Sequence, residues 1–184
     1  MSRARPTRRG RAYHRRRHRL IAFALGGALA LPGCAPPKAA ARPATPPAAT
    51  RAPGTRTAAL EQAVHELVNR HREAHGLAPL TLDARISREA RGHSSAMAAR
   101  TTPLGHERFA DRVKALSRVM ACRRTAENVA FNQGHREPAV EAVRGWLASR
   151  GHRKNIEGPY ELTGVGVVTN AAGEVYFTQI FVGR

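Results

Sequence analysis

Two apolar runs near the C-terminus constrain the fold of this chain more than any other feature. Val165-Gly-Val167-Val168 and Val175-Tyr-Phe177-Thr-Gln-Ile180-Phe181-Val182 are rich in β-branched and aromatic residues and apolar on both alternating faces. Asn170-Ala-Ala-Gly173 between them is a hairpin loop signal. A hairpin apolar on both faces needs cover on both sides. Upstream, the period is helical. Leu60, Val64, Leu67 and Val68 share one face of a helix that Gly76 ends, and Asp83 is the N-cap of a second helix with Ile86, Ala90 and Met97 inward. After the Pro103 and Gly105 loop, Phe109, Val113 and Leu116 predict a short third helix. Pro138, at a first-turn position, starts a fourth helix with Val140, Val143 and Leu147 inward. Helices first and strands last predict an α+β fold, a three-layer α-β-α sandwich with an antiparallel central sheet, rather than a doubly wound sheet.

The chain has 184 residues, 42% of them hydrophobic, enough for one domain with a buried core. Its formal net charge of +18 suggests nucleic acid until the charge is located. Residues 1–56 hold 13 of the 31 Lys+Arg and no acidic residue, so all 13 Asp+Glu balance the basic residues of 57–184. The basicity belongs to the N-terminal segment, and the folded part carries no nucleic-acid signature. Two cysteines fit neither a disulfide scaffold nor a zinc finger.

A basic run from Arg3 to Arg19 precedes the apolar stretch Leu20–Leu31, which is shorter than the roughly 20 residues of a membrane span. Basic, then briefly apolar, then small residues is the pattern of a secretory signal. Leu31-Pro32-Gly33-Cys34 resembles a bacterial lipobox, which implies that Cys34 receives a diacylglyceryl group and becomes the mature N-terminus. The alternative is cleavage after Ala30, which would release a soluble protein and leave Cys34 free to pair with Cys122. Residues 35–56 hold six prolines and eight alanines without apolar periodicity, as a semi-extended tether does. The expected organisation is a signal peptide over 1–33, a tether over 34–56 and a folded domain over 57–184.

Polar residues concentrate in three blocks of that domain. They are Gly105-His106-Glu107-Arg108-Phe109, Ala126-Glu127-Asn128-Val129-Ala130 and Trp146-Leu-Ala-Ser149-Arg150-Gly151-His152-Arg153-Lys154-Asn155-Ile156. With Thr163-Gly-Val165-Gly166 and Tyr176-Phe-Thr178-Gln179-Ile-Phe181, they resemble the CAP superfamily, also called the SCP-like extracellular domain, in its bacterial single-domain branch. The superfamily groups cysteine-rich secretory proteins, antigen 5 and pathogenesis-related 1 proteins. The resemblance runs in order from about Leu60 to Val182 and implies a CAP-type sandwich. It also implies a cleft lined by His106, Glu127 and His152. The second glutamate of the family pattern falls at Ser149, so three side chains line the site rather than four.

Two imidazoles and a carboxylate are a sufficient set for a divalent cation such as zinc, with one position left for water. Metal-assisted hydrolysis is then conceivable, with His106, Glu127 and His152 as ligands or as acid and base. The alternative is that the three hydrogen-bond to one another and tie loops to the sheet without any cofactor. No nucleophile-elbow Gly-x-Ser-x-Gly occurs near Ser149. Cys122 reads as a small hydrophobe and Trp146 as core. His65, His71, His75, His93 and His135 form no convergent pattern, and Arg150, Arg153 and Lys154 read as a solvated loop or an anion-attracting edge of the cleft.

These readings lead to an exported bacterial lipoprotein that presents a binding module for a lipid, peptide or cell-wall component of the envelope. It requires no cofactor and contacts the membrane through its N-terminal lipid. A metal-dependent hydrolase is the alternative.

Overall fold

The structure, a computed structural model, describes residues 53–184. The expected signal peptide, Cys34 and the tether up to residue 52 lie outside the described residues.

Helix α1 spans Pro53–Ala74 and so begins ahead of the expected boundary at Thr57, since proline is tolerated in a first helical turn. Val64 and Val68 are fully buried, with Leu60 and Leu67 packed beside them. Gly76 ends the turn after α1 at φ +69°, a conformation that a side chain would resist. Asp83 caps α2 (Ala84–Ala98), accepting from the amides of Arg85 and Ile86. Ile86, Ala90 and Met97 point inward as their spacing predicts. In α3 (Phe109–Ser117), Leu116 is buried and Phe109 half-buried, but the position between them belongs to a buried Arg112.

Helix α4 (Pro138–Ala148) is rotated from the expected face. Its buried stripe is Ala139, Ala142, Val143 and Trp146, and Val140 is 42% exposed. The large indole, 1% exposed, sets the rotation, because burying it stabilises more than burying one valine. A fifth helix, α5 (Arg150–Ile156), follows at once.

The sheet has four strands in the order β1-β3-β4-β2. Strands β3 (Leu162–Thr169) and β4 (Glu174–Gly183) are the expected hairpin, closed by Asn170, whose side chain accepts from the amides of Ala172 and Glu174. Strand β2 (Arg124–Gln133) pairs antiparallel with β4 along its whole length. The sheet is mixed rather than purely antiparallel, because the short β1 (Thr81–Leu82), leading into α2, runs parallel to β3.

Two separate cores confirm the three layers. One packs α1, α4 and α5 against Val165, Val167, Phe177 and Phe181, and the other packs α2 and α3 against Leu162, Ile180 and Val182. Cys122 is a half-buried free thiol at the margin of the second core. The Gly164-Val-Gly166 block lets α2 lie directly on β3. A Cβ on Gly166 would fall 2.1 Å from the Arg91 amide nitrogen, and one on Gly164 would fall 2.3 Å from the Ile86 carbonyl carbon. The free edge of β3 beyond β1 is covered by Glu61 of α1. This buried carboxylate accepts from the Val167 amide at 3.1 Å and from Arg91 at 2.7 and 2.6 Å. Among the described residues, no helix is long and apolar enough to cross a membrane.

Candidate functional site

Glu127 is the fixed centre of the site. Strand β2 pairs it with Ile180 of β4, and its side chain is only 1% exposed. Such a carboxylate must find donors, and the fold supplies two. Arg112 of α3 grips both oxygens, with Nε donating to Oε2 at 2.9 Å and Nη2 to Oε1 at 2.8 Å. His106 Nδ1 meets Oε1 at 3.0 Å. An ionised carboxylate can only accept, so Nδ1 carries the proton, and in the neutral tautomer Nε2 is left as an acceptor. The His106 side chain is 52% exposed, so this imidazole connects a sealed ion pair to the surface.

The loop that presents His106 is held from two directions. His93 Nε2 of α2 bonds the Gly105 carbonyl at 2.8 Å, and Arg112 Nη1 donates to the Glu107 carbonyl at 2.8 Å. Arg108 then takes a left-handed conformation, φ +60°, immediately before α3. Burial is the main cause that pushes the His93 imidazole below its ordinary pKa of 6.5.

His152 lies across from His106, with ring centroids 6.4 Å apart. It rides on α5, which two asparagines fasten to β2. Asn128 donates to the His152 carbonyl at 3.1 Å, and Asn155 donates to the Asn128 side chain at 2.9 Å and to the Glu127 carbonyl at 3.2 Å. Burial, and then the neighbouring His106, lower the His152 pKa. The structure thus joins His106 to Glu127 directly and faces His152 to His106.

That donor set does not suit a resident divalent cation. Both Glu127 oxygens already accept from a guanidinium, and a metal ion there would sit against its fixed positive charge. Two imidazoles remain, fewer than the three protein ligands of a zinc site with an open position. Among the described residues, the His/Cys/Asp/Glu group whose donor atoms close to within 4.8 Å of one another is His71, His75 and Glu157.

Beside His152 runs a groove of about 640 Å³. Val129–Gln133 of β2 form its floor, Ala142, Gly145 and Trp146 of α4 one wall, and Ser149 and His152 one end. Its apolar character is exposed: Leu104 is 56% and Phe131 42% accessible. The Trp146 indole donates to the Val129 carbonyl at 2.9 Å, which fixes the wall to the floor. Arg150, Arg153 and Lys154 line a different depression with Tyr160 and Pro159, so they do not border this groove.

Sequence reading missed Arg112, although its signal was present as a charged residue between Phe109 and Leu116 on the apolar face of α3. It also missed Leu104 and Phe131 as groove residues. These lie in a loop and on a strand whose polar neighbours Asn128, Asn132 and Gln133 masked its period.

The sequence matches the cysteine-rich secretory protein (CAP) family over residues 65–181. It is 34% identical over 140 residues to the uncharacterized protein YkwD of Bacillus subtilis (strain 168), covering 73% of this chain and 51% of that relative. The chain therefore spans about half the length of the curated relative it matches. Among solved structures, it is similar to an extracellular SCP-domain protein of Bacillus anthracis str. Ames, at 27% identity and a TM-score of 0.59, covering 76% of this chain and 45% of that one. An outer surface protein of Borrelia burgdorferi shares the fold at 16% identity and a TM-score of 0.61, covering 70% of this chain and 95% of that one.

Proposed function

The chain belongs to the cysteine-rich secretory protein (CAP) family, and from that premise we propose that it is an exported binding protein whose groove takes an amphipathic ligand of the cell envelope. The observation that carries this reading is the open groove with Leu104 and Phe131 exposed along it and the His152 imidazole at its end. Apolar side chains that line an open concavity with a polar group at one end are the common makeup of a ligand groove. An acyl chain or an apolar peptide segment would lie along β2, and the polar head would meet His152. Burial lowers the His152 pKa, and its neutral imidazole offers both a donor and an acceptor there.

Export is supported by the basic-then-apolar N-terminal pattern and by the extracellular SCP-domain relative. Acylation of Cys34, followed by a Pro/Ala-rich tether, would hold the groove near a membrane surface. The hydrolase alternative, with the trio as ligands or acid and base, draws less support than the groove, because the Glu127 carboxylate accepts from Arg112 at both oxygens.

The test uses the chain's single tryptophan, which lines the groove. Titration with a lysophospholipid below its micelle concentration is expected to shift Trp146 emission saturably. Phe131→Asp and Leu104→Asp are expected to abolish the shift, and His152→Ala to weaken it. An emission unchanged by lysophospholipid and by apolar peptides would overturn the reading. Turnover of a substrate that His106→Ala abolishes would also overturn it.

A further inference from the structure

Outside the groove, the last turn of α1 and the C-cap of α5 bring together three groups that the site above does not use. His71 and His75 are four residues apart on one helical face, with ring centroids 4.1 Å apart. Glu157 reaches them from the C-cap of α5, its Oε1 lying 2.9 Å from His71 Nε2. The donor atoms of all three close to within 4.8 Å of one another.

Two details make the cluster a preformed site. His75 Nδ1 lies 2.7 Å from the His71 carbonyl, which can only accept. The proton is therefore on Nδ1, and Nε2 keeps the lone pair that a metal needs. Arg72, between the two histidines in sequence, is almost wholly buried. Its Nη1 donates to the Ile156 carbonyl at 2.7 Å and to the Gly158 carbonyl at 2.9 Å, which locks the backbone on both sides of Glu157. The third ligand is thus held in place before any ion arrives.

We propose that His71, His75 and Glu157 form a zinc site that fastens the end of α1 to the end of α5. Two imidazoles and a carboxylate are a recognised zinc set, with a fourth position open to water. Unlike Glu127, Glu157 has no guanidinium gripping both its oxygens; a metal would replace its one imidazole hydrogen bond, with the His71 Nε2 proton moving to Nδ1 or leaving to solvent. Since α5 also carries His152, a bound ion would stiffen the helix that forms one end of the groove.

The experiment titrates Zn²⁺ into the full-length chain at neutral pH against a chromogenic chelator. One site is expected whose affinity falls roughly tenfold or more in His75→Ala and in Glu157→Gln, given that disturbing even an outer-shell partner costs that much. His152→Ala is expected to leave it unchanged. Sites formed by histidines elsewhere are common to all these proteins and cancel in the comparison. His75 is exposed, lies just past the end of α1 and hydrogen-bonds through its ring to the His71 carbonyl of that helix, so its alanine variant retains the fold. As a second readout, Zn²⁺ is expected to raise the unfolding midpoint of the wild type but not of His75→Ala. No zinc binding, binding indifferent to His75→Ala and Glu157→Gln, or binding lost in His152→Ala instead would each overturn the proposal.

Discussion

Arg112 and Glu127 form a two-point ion pair beneath the loop of His106, their side chains 9% and 1% exposed. The pair explains why a carboxylate can be sealed in a strand and why α3 packs where it does. Taking two charges out of water costs several kcal/mol per ion, so the pair is stable only as a pair.

Breaking it from one side is therefore expected to be severe. Arg112→Ala leaves Glu127 buried with the His106 hydrogen bond as its remaining side-chain contact, and a loss of about 3–5 kcal/mol is expected. Replacing both partners, as in Arg112→Met with Glu127→Leu, is expected to cost less than either single change, because no unpaired charge remains. Urea unfolding of the three variants measures this. A double variant as unstable as the sum of the singles would show that the pair is not the unit that matters.

The fold was legible in the sequence wherever period and punctuation agreed. Asp83, Gly76, the inward face of α2 and the C-terminal hairpin all follow from local chemistry that tertiary contacts reinforce. Strand β2 was not legible, because Glu127, Asn128 and Asn132 are buried through partners on other elements and their polarity hides the alternation. The short β1 and α5 hold too few residues to set a period. His106, Glu127 and His152 came from motif resemblance. The hydrogen bonds that make Glu127 the partner of Arg112 depend on the packing of α3, which no local pattern reports.

Gly166 and Gly92 should respond to alanine with opposite signs. The new methyl at Gly166 meets α2 backbone at 2.1 Å, and Gly166→Ala is expected to cost about 1–3 kcal/mol or more through displacement of the helix. Gly92, inside α2, has nothing within 4 Å of its would-be Cβ, and Gly92→Ala is expected to gain about 0.5–1 kcal/mol from helix propensity alone. Thermal unfolding of the two variants separates close approach from intrinsic flexibility. A neutral Gly166→Ala would mean that α2 does not rest on β3 as closely as described.

Acylation of Cys34 predicts where the protein resides. The wild type is expected in the membrane fraction with a mature N-terminus at Cys34, and Cys34→Ser in the precursor or soluble fraction, because a single uncharged hydroxyl replaces two acyl chains. Mass spectrometry of the mature chain is decisive. An intact N-terminus at Leu31 would refute the anchor and favour release of a soluble protein.

Stability should fall with mild acid as the buried histidines take up protons. His93 is held below its ordinary pKa of 6.5 chiefly by burial, against a smaller upward pull from its bond to the Gly105 carbonyl. The unfolded chain therefore binds more protons than the native one as pH drops below 6.5, and the unfolding free energy decreases through that window. The contribution is complete above the unfolded value and is lost progressively below it, until the native imidazole itself protonates. His65 and His152 are also lowered mainly by burial and act in the same direction. His93→Gln keeps a donor that can reach the Gly105 carbonyl but carries no titrating proton. Its unfolding midpoint is expected to drop less than that of the wild type between pH about 7.5 and about 5.5, the range in which histidine changes charge. Parallel pH profiles for the two proteins would place the acid sensitivity elsewhere and leave His93 as packing alone.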